Sequence, residues 1–297
     1  MNHEDTPSAG GDVLTLPEPG AAASASAAGG SLTFVGTATT LIRCGGFTLL
    51  TDPNFLHRGE RIHLGYGMHA TRLTDPAMEP GDLPALDAVV LSHMHEDHFD
   101  RVAAERLDRR LPILTTAGAA RALHGMGFAA AQAVPSWRTT TLIKGGSRVV
   151  ITSVPGRHGP LLLSALLPEV MGSVLDFRSP DGRRLTRLYI TGDTLVFDKL
   201  RELPRRFPDI DLALLHLGGT RLLGVLMTMD AEQGVEMLRI AAPRRAVPIH
   251  FDDYDVFRDP LDNFRRAVDR AGLADKVRYL DRGDTYHFEP AGDGLGS

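Results

Sequence analysis

An α/β domain is the fold class that this sequence predicts, and three observations predict it. The chain has 297 residues, enough to bury a full core as one large domain or two small ones. Short apolar segments alternate with helix-like stretches from residue 32 to residue 288. At four places a potential metal ligand stands just past an apolar segment. That pattern is expected where neighbouring strand ends gather distant residues at one edge of a sheet.

Composition narrows the class of partner. The formal charge of -5 gives no ground for nucleic acid or an anionic membrane as partner. A small-molecule substrate is expected instead, and oligomeric state is left open. The one cysteine, Cys44, sits in an apolar run and reads as a small buried residue. It excludes a disulfide within one chain and agrees with a reducing compartment. Residues 1–30 are rich in Ala, Gly, Ser and Pro, with no cationic start and no strongly apolar core. They read as a mobile tail on a cytoplasmic protein, followed by a single domain over 31–290 and a short tail at 291–297. No run of residues reaches membrane-spanning length.

The domain begins with three short strands at residues 32–35, 39–44 and 47–51. The last two form a hairpin turned by Gly45-Gly46. Asp52-Pro53 ends the third. Asp52 either buttresses a nearby histidine by accepting its second ring N–H or caps a turn. Residues 54–86 read as long and irregular, the length of a lid or substrate loop. Within them His63 and Tyr66 are candidates for substrate contact.

Residues 88–92 read as a buried strand. His93, His95, Asp97 and His98 follow within six positions. Imidazole nitrogens and a carboxylate together suit zinc, manganese or iron. His93 and His95 are two apart, so in extended backbone they point the same way. Residues 97–100 can then cap a helix running over 101–110. Further on come a strand at 113–116, a helix at 117–126, and strands at 133–137, 140–144 and 148–154.

Three more strand ends carry ligand candidates. His158 follows the strand at 148–154, with Arg157 beside it as a candidate contact for a substrate anion. Residues 161–171 read either as a buried helix or as an apolar flap that holds a greasy part of a substrate. A strand at 172–177 leads through a turn to the strand at 187–190 and then Asp193, whose carboxylate can bridge two cations. Residues 200–207 are helical and broken by Pro204; a strand at 210–215 ends at His216, a ligand or a support for one. The apolar stretch 222–229 is another candidate pocket wall. A helix over 230–240 follows, with capping-box spacing between Asp230 and Gln233. The strand at 245–249 ends at His250. A helix at 260–271, a strand at 277–280 and a closing segment at 284–288 complete the domain.

His93, His95, Asp97, His98, His158, Asp193 and His250 make seven ligand candidates. A single catalytic zinc needs about three protein ligands plus water. Seven therefore point to two divalent ions, zinc first, with manganese or iron as alternatives. Such a pair lowers the pKa of a bound water and supplies a hydroxide nucleophile at working pH. Asp97 is the candidate catalytic residue, orienting that water or passing its proton to the leaving group.

Ser92-His93-Met94-His95-Glu96-Asp97-His98 resembles the His-x-His-x-Asp-His motif of metallo-β-lactamase-fold hydrolases. His158, Asp193 and His250 follow in the order that family has. The resemblance covers about residues 32–288. It implies a four-layer αβ/βα sandwich, with two mixed sheets facing each other and helices outside. It implies that His93, His95 and His158 hold one ion, that Asp97, His98 and His250 hold the other, and that Asp193 bridges. Leu50-Thr51-Asp52-Pro53 and Pro248-Ile249-His250-Phe251 resemble the branch with L-ascorbate 6-phosphate lactonase-like proteins and the N-acylphosphatidylethanolamine-hydrolysing phospholipase D. Those relatives commonly carry Gly-His where this chain has Gly36-Thr37, a departure that bears on the substrate and not on the metal site.

The expected activity is hydrolysis of an ester, lactone or amide bond in a small or lipid-like substrate. A phosphodiesterase with the same two-metal site is the alternative from the same chemistry. A metal-binding redox protein and a metal-binding protein without turnover are the alternatives from other classes.

Overall fold

The computed structural model describes residues 11–17, 29–65, 67–160 and 167–289. In chain order the first half has β1 (Asp12–Thr15), β2 (Gly30–Gly36), β3 (Thr39–Cys44), β4 (Phe47–Thr51), β5 (Arg61–Gly65) and β6 (Met68–Thr71). It continues with β7 (Ala88–Val90), α1 (Arg101–Arg106), β8 (Ile113–Thr115), α2 (Ala117–Gly125) and β9 (Ala131–Ala133). The second half has β10 (Thr139–Lys144), β11 (Ser147–Pro155), β12 (Met171–Arg178), β13 (Arg184–Ile190), α3 (Leu203–Arg206) and β14 (Leu212–His216). It ends with β15 (Arg221–Leu222), β16 (Val225–Leu226), α4 (Ala231–Ala241), β17 (Arg245–Ile249), α5 (Leu261–Arg270) and β18 (Thr285–Phe288).

Two seven-stranded sheets form the frame, in the orders β18-β2-β3-β4-β7-β8-β9 and β1-β10-β11-β12-β13-β14-β17. Each has an antiparallel run, β18-β2-β3-β4 in one and β10-β11-β12-β13 in the other, and ends in parallel strands, β4-β7-β8-β9 and β13-β14-β17. The sheets face each other across one apolar core. Leu32, Ile42, Phe47 and Leu49 of the first meet Leu142, Ile151, Leu175 and Phe177 of the second. The rings of Phe47 and Phe177 sit 6.4 Å apart. Helices cover the outer faces: α1 and α2 bury Ala103, Ala119 and Leu123 against Val89 and Ile113, and α4 and α5 pack Leu238 and Phe264 into the large core. This is an αβ/βα sandwich, and each helix spends its apolar stripe on a sheet.

Caps place the elements that matter for the site. Asp100 Oδ1 accepts the Ala103 N–H at the start of α1, and Asp100 Oδ2 accepts the Leu56 N–H, tying the helix to the loop after β4. Asp230 caps α4 through the Gln233 N–H.

Several elements differ from the sequence reading. The stretch read as a tail contributes β1, which pairs in parallel with β10 along an open edge; residues 1–10 and 18–28 lie outside the described residues, as do 290–297. The stretch 54–86 holds the β5–β6 hairpin, whose apolar residues Ile62, Leu64 and Ala70 alternate inward over Leu56 and Tyr254. The strand expected at 133–137 ends at Ala133. Trp137 turns the chain at φ 61°, with the Arg206 guanidinium over its ring. Helix α1 stops at Arg106, four residues short of the expected end, because Leu107 turns extended. At 277–280 only Val277 pairs, in one bridge to Ala246.

Gly192 tests how tightly neighbouring strand ends pack at the site. It joins β13 to Asp193 at φ 63°, and a Cβ there would lie 2.6 Å from the Met171 carbonyl oxygen. Gly118, inside α2, faces open space. Urea unfolding is expected to show Gly192→Ala losing about 2 kcal/mol or more, while Gly118→Ala gains about 0.5–1 kcal/mol. Equal effects would contradict the close approach.

Candidate metal centre

Strand direction builds this site. Parallel strands end at the same edge, so β4 delivers Asp52 and β7 delivers the turn 93–98. In the other sheet β13, β14 and β17 run together and deliver Asp193, His216 and His250. Two antiparallel steps, β11 to β12 to β13, bring the end of β11 and His158 to that edge as well. The edges meet where the Met171 N–H donates to the Ser92 carbonyl at 3.0 Å.

All seven ligand candidates come together there, in two groups. His93, His95 and His158 bring one atom each within 4.8 Å of one another, and so do Asp97, His98, Asp193 and His250. His93 Nε2 lies 2.9 Å from His95 Nδ1. His98 Nε2 is 3.3 Å from Asp193 Oδ2, and His250 Nε2 is 3.4 Å from Asp97 Oδ2 and 3.7 Å from Asp193 Oδ1. Asp193 thus touches both histidines of its group, and its charge also acts on His93.

The donor set fits cations better than it fits itself. Asp97 Oδ1, His98 Nε2, His158 Nδ1 and Asp193 Oδ1 are buried without a hydrogen-bond partner among the described residues. Each such atom costs about 1–3 kcal/mol unless something satisfies it. Imidazole and carboxylate donors around a shared centre are what divalent transition metals require.

A second layer orients the ligands. Asp52 Oδ1 accepts the Ser92 N–H at 2.7 Å, and its Oδ2 lies 3.4 Å from His98 Nδ1 and 3.3 Å from His216 Nε2. Asp52 thereby holds the far side of the His98 ring and leaves Nε2 facing Asp97 and Asp193. With His216 Nε2–H turned to Asp52, its Nδ1 accepts a hydrogen bond from the Thr191 hydroxyl at 3.2 Å. His250 turns Nδ1 to the Leu217 carbonyl at 3.3 Å. Asp52, Thr37 and His250 all sit at positive φ, 35°, 51° and 61°, which non-glycine residues hold only where the surroundings insist.

Burial and charge set the protonation states of the ion-free protein. Burial pushes His158 down to about 4 and His93 well below the usual imidazole range. These two rings are neutral at pH 7, the form that binds metal. Burial also opposes charge on His98, but Asp193, Asp97 and Asp52 outweigh it and hold the ring well above its ordinary value. His250 is raised too, by Asp193 and Asp97 against burial. Burial opposes ionisation of Asp97, yet His98 and His250 bring it down to about 2.

The remaining candidates fall elsewhere. His63 pairs with His69 across the β5–β6 hairpin, and its N–H donates to Glu96 Oε2 at 2.6 Å. Arg157 lays its guanidinium over Phe197, 4.7 Å from the ring centre, and its N–H meets Thr194 Oγ1. It is absent from the pocket wall. Tyr66 lies outside the described residues, as does most of the apolar stretch 161–171. A pocket opens over His95, Asp97, His158 and Asp193, walled by Leu64, Leu167, Leu222, Met227 and Val256. Leu222 and Met227 come from the stretch 222–229, read as a wall or core. Leu64, Val256 and the rim residues Thr220 and Arg221 were not singled out in the sequence; the period-two pattern at 62–64 is the one signal for Leu64.

With the fold and these groups in place, comparison with known proteins is direct. The model of the beta-lactamase superfamily domain matches residues 48–251, a span that contains every ligand candidate. This chain belongs to the metal-dependent hydrolases of the beta-lactamase superfamily. It is 27% identical over 222 residues to a metal-dependent hydrolase of Archaeoglobus fulgidus, covering 71% of this chain and 85% of that protein. It is 25% identical over 253 residues to an N-acyl-phosphatidylethanolamine-hydrolyzing phospholipase D of Caenorhabditis elegans, covering 80% and 69%. Its fold matches the crystal structure of an isothiocyanate hydrolase from Delia radicum gut bacteria with a TM-score of 0.72 at 23% identity, over 87% of this chain and 99% of that one. Among the described residues no helix is long and apolar enough to cross a membrane.

Two measurements check the electrostatics. Asp52→Asn is expected to weaken zinc binding about 10–100-fold in competition with a chelator; unchanged affinity would remove Asp52 from the orienting role. His98 and His250, raised in the ion-free fold, add stability that is full below the ordinary imidazole range and lost as pH climbs through the raised values. A bound cation replaces those protons. Calorimetry at pH 7 in buffers of different ionisation enthalpy is therefore expected to show proton release on zinc binding, and apparent affinity should rise with pH. Binding without proton release would contradict the raised values.

Proposed function

We propose that this chain hydrolyses an ester, lactone or amide bond in a small or lipid-like substrate, with two divalent ions, zinc first, held by His93, His95 and His158 and by Asp97, His98 and His250, and with Asp193 between. The observation that carries this reading is the pocket wall. Five apolar side chains, Leu64, Leu167, Leu222, Met227 and Val256, stand over the donor groups. The one cation on that wall among the described residues, Arg221, faces Asp230 at 3.5 Å. A carbon acyl or alkyl portion fits such walls better than a free phosphate does.

Divalent ions bound here supply Lewis acidity and a water that ionises near neutrality. The chain's own residues do the rest. His93 and His158 enter neutral, so no proton has to leave them first. Asp97, a buried carboxylate beside His98 and His250, orients the attacking water by accepting its hydrogen bond, and can pass a proton on to a departing alkoxide or amine. Asp52 and His216 keep the His98 ring from turning. The apolar walls hold the substrate's carbon portion and thin the water around the reacting bond. The single cysteine agrees with a cytoplasmic setting for this work.

A phosphodiesterase is the second reading, and Arg221 favours it. Freed from Asp230, its guanidinium would reach a phosphate oxygen at the pocket rim. The similarity to the Caenorhabditis elegans phospholipase D supports the same reading.

A side-by-side assay of a p-nitrophenyl ester, an acyl lactone and bis-p-nitrophenyl phosphate separates the two. The ester or lactone is expected to turn over faster, chelation to abolish turnover, and Asp97→Asn to lower kcat by about 10²–10⁴-fold. Turnover of the phosphate diester alone would reverse the ranking. Full activity in Asp97→Asn would refute the role of that carboxylate.

A further inference from the structure

Arg72 follows β6 and has no exposed side-chain surface at all. Taking a guanidinium out of water costs several kcal/mol unless it is paired and hydrogen-bonded. Here it is both. Nη2 lies 3.3 Å from Asp253 Oδ1, a carboxylate as buried as itself. Nη1 donates to Thr37 Oγ1 and Asn54 Oδ1, and Nε donates to the Thr74 carbonyl at 3.0 Å. The Tyr254 ring lies under the guanidinium, 5.1 Å away. A side chain at Gly36 would crowd this group: at φ 144°, its Cβ would come 3.0 Å from Arg72 Nη2.

None of these atoms touches a ligand candidate, yet each path from Arg72 reaches one in a step or two. Asn54 Nδ2 donates to the Glu96 carbonyl at 2.8 Å, inside the turn that carries Asp97 and His98. Asp253 Oδ2 accepts the Thr37 N–H at 2.7 Å. The Thr37 carbonyl in turn accepts the His250 N–H at 2.7 Å. Thr37 and His250 are both left-handed, so their backbones need such ties to stay put. His158 and Asp193 are reached by neither path.

We propose that Arg72 is a positioning residue, a buried cation that locks the 96–98 segment, through the Glu96 carbonyl, to the His250 loop and thereby sets the affinity of the ion held by Asp97, His98 and His250. This rests on the two-ion reading above. Arg72 also ties the centre to the substrate side. Its backbone bridges to Tyr254, the Leu73 N–H donates to the Asp253 carbonyl at 2.8 Å, and the same hairpin carries Leu64 into the pocket wall. A Lys at this position keeps the charge but loses the fork that reaches four partners at once.

The test is a Zn²⁺ titration against a chromophoric chelator on the parent protein, Arg72→Lys and Asp253→Asn, with thermal melting of each ion-free form. Asp253→Asn keeps an oxygen for the Thr37 N–H and removes the charge that faces Arg72 and Arg282, together with the acceptor of the Thr74 hydroxyl. The parent is expected to take two ions. In each variant one ion should bind within about threefold of the parent and the other about tenfold or more weaker. A residue that merely stabilised the fold would lower the melting temperature and leave both affinities in place, and that result overturns the proposal. Equal losses at both ions overturn it too. A parent protein that takes one ion or none overturns the two-ion reading itself, a failure the titration shows separately.

Discussion

Donor atoms buried between two sheets, with too few protein partners to satisfy them, are the constraint on which this structure turns. Five strand ends place three carboxylates and five imidazoles, Asp52, Asp97, Asp193, His93, His95, His98, His158 and His250, in one desolvated region. Part of that charge is settled internally, by Asp52 against His98 and by Asp97 against His250. The rest is left as unpartnered nitrogen and oxygen atoms facing a common space. A hydrophobic frame closed on both outer faces by helices keeps the strand ends from relaxing apart. Positive φ at Asp52, Thr37 and His250 shows what that frame holds in place.

Chemistry and specificity are built from different parts of the chain. The donor groups stand on the tips of the two large sheets, where packing fixes them. The pocket wall comes largely from two small hairpins, β5–β6 and β15–β16, and from the segment holding Leu167. Leu223, at the tip of the second hairpin, is almost wholly exposed and left-handed at φ 50°. Substrate choice can thus change in the hairpins while the metal-binding edge is kept. Every ligand candidate on that edge lies within the span that shows the family.

Legibility in the sequence follows the same division. β3 and β4 are readable to the residue, because Gly45-Gly46 fixes the turn and Asp52-Pro53 ends the second strand. The seven ligand candidates are readable because histidine or aspartate just past an apolar strand is a local pattern. The β5–β6 hairpin is hidden, since its strands pair His63 with His69 and carry polar residues outward with no turn signal strong enough to separate them from a loop. β1 is too short and too exposed to stand out beside an Ala-rich stretch. Arg72, Asn54, Thr37 and Asp253 are invisible for another reason. Their role exists only through partners up to 216 positions away, and one buried arginine looks in sequence like any surface one.

Diffraction at the zinc absorption edge from zinc-loaded crystals tests the central claim most directly. The account requires two anomalous peaks about 3.5–4 Å apart, one ringed by His93, His95 and His158, the other by Asp97, His98 and His250, with Asp193 between. A single peak, or a peak at the Asp52–His98–His216 cluster in place of either, would contradict it.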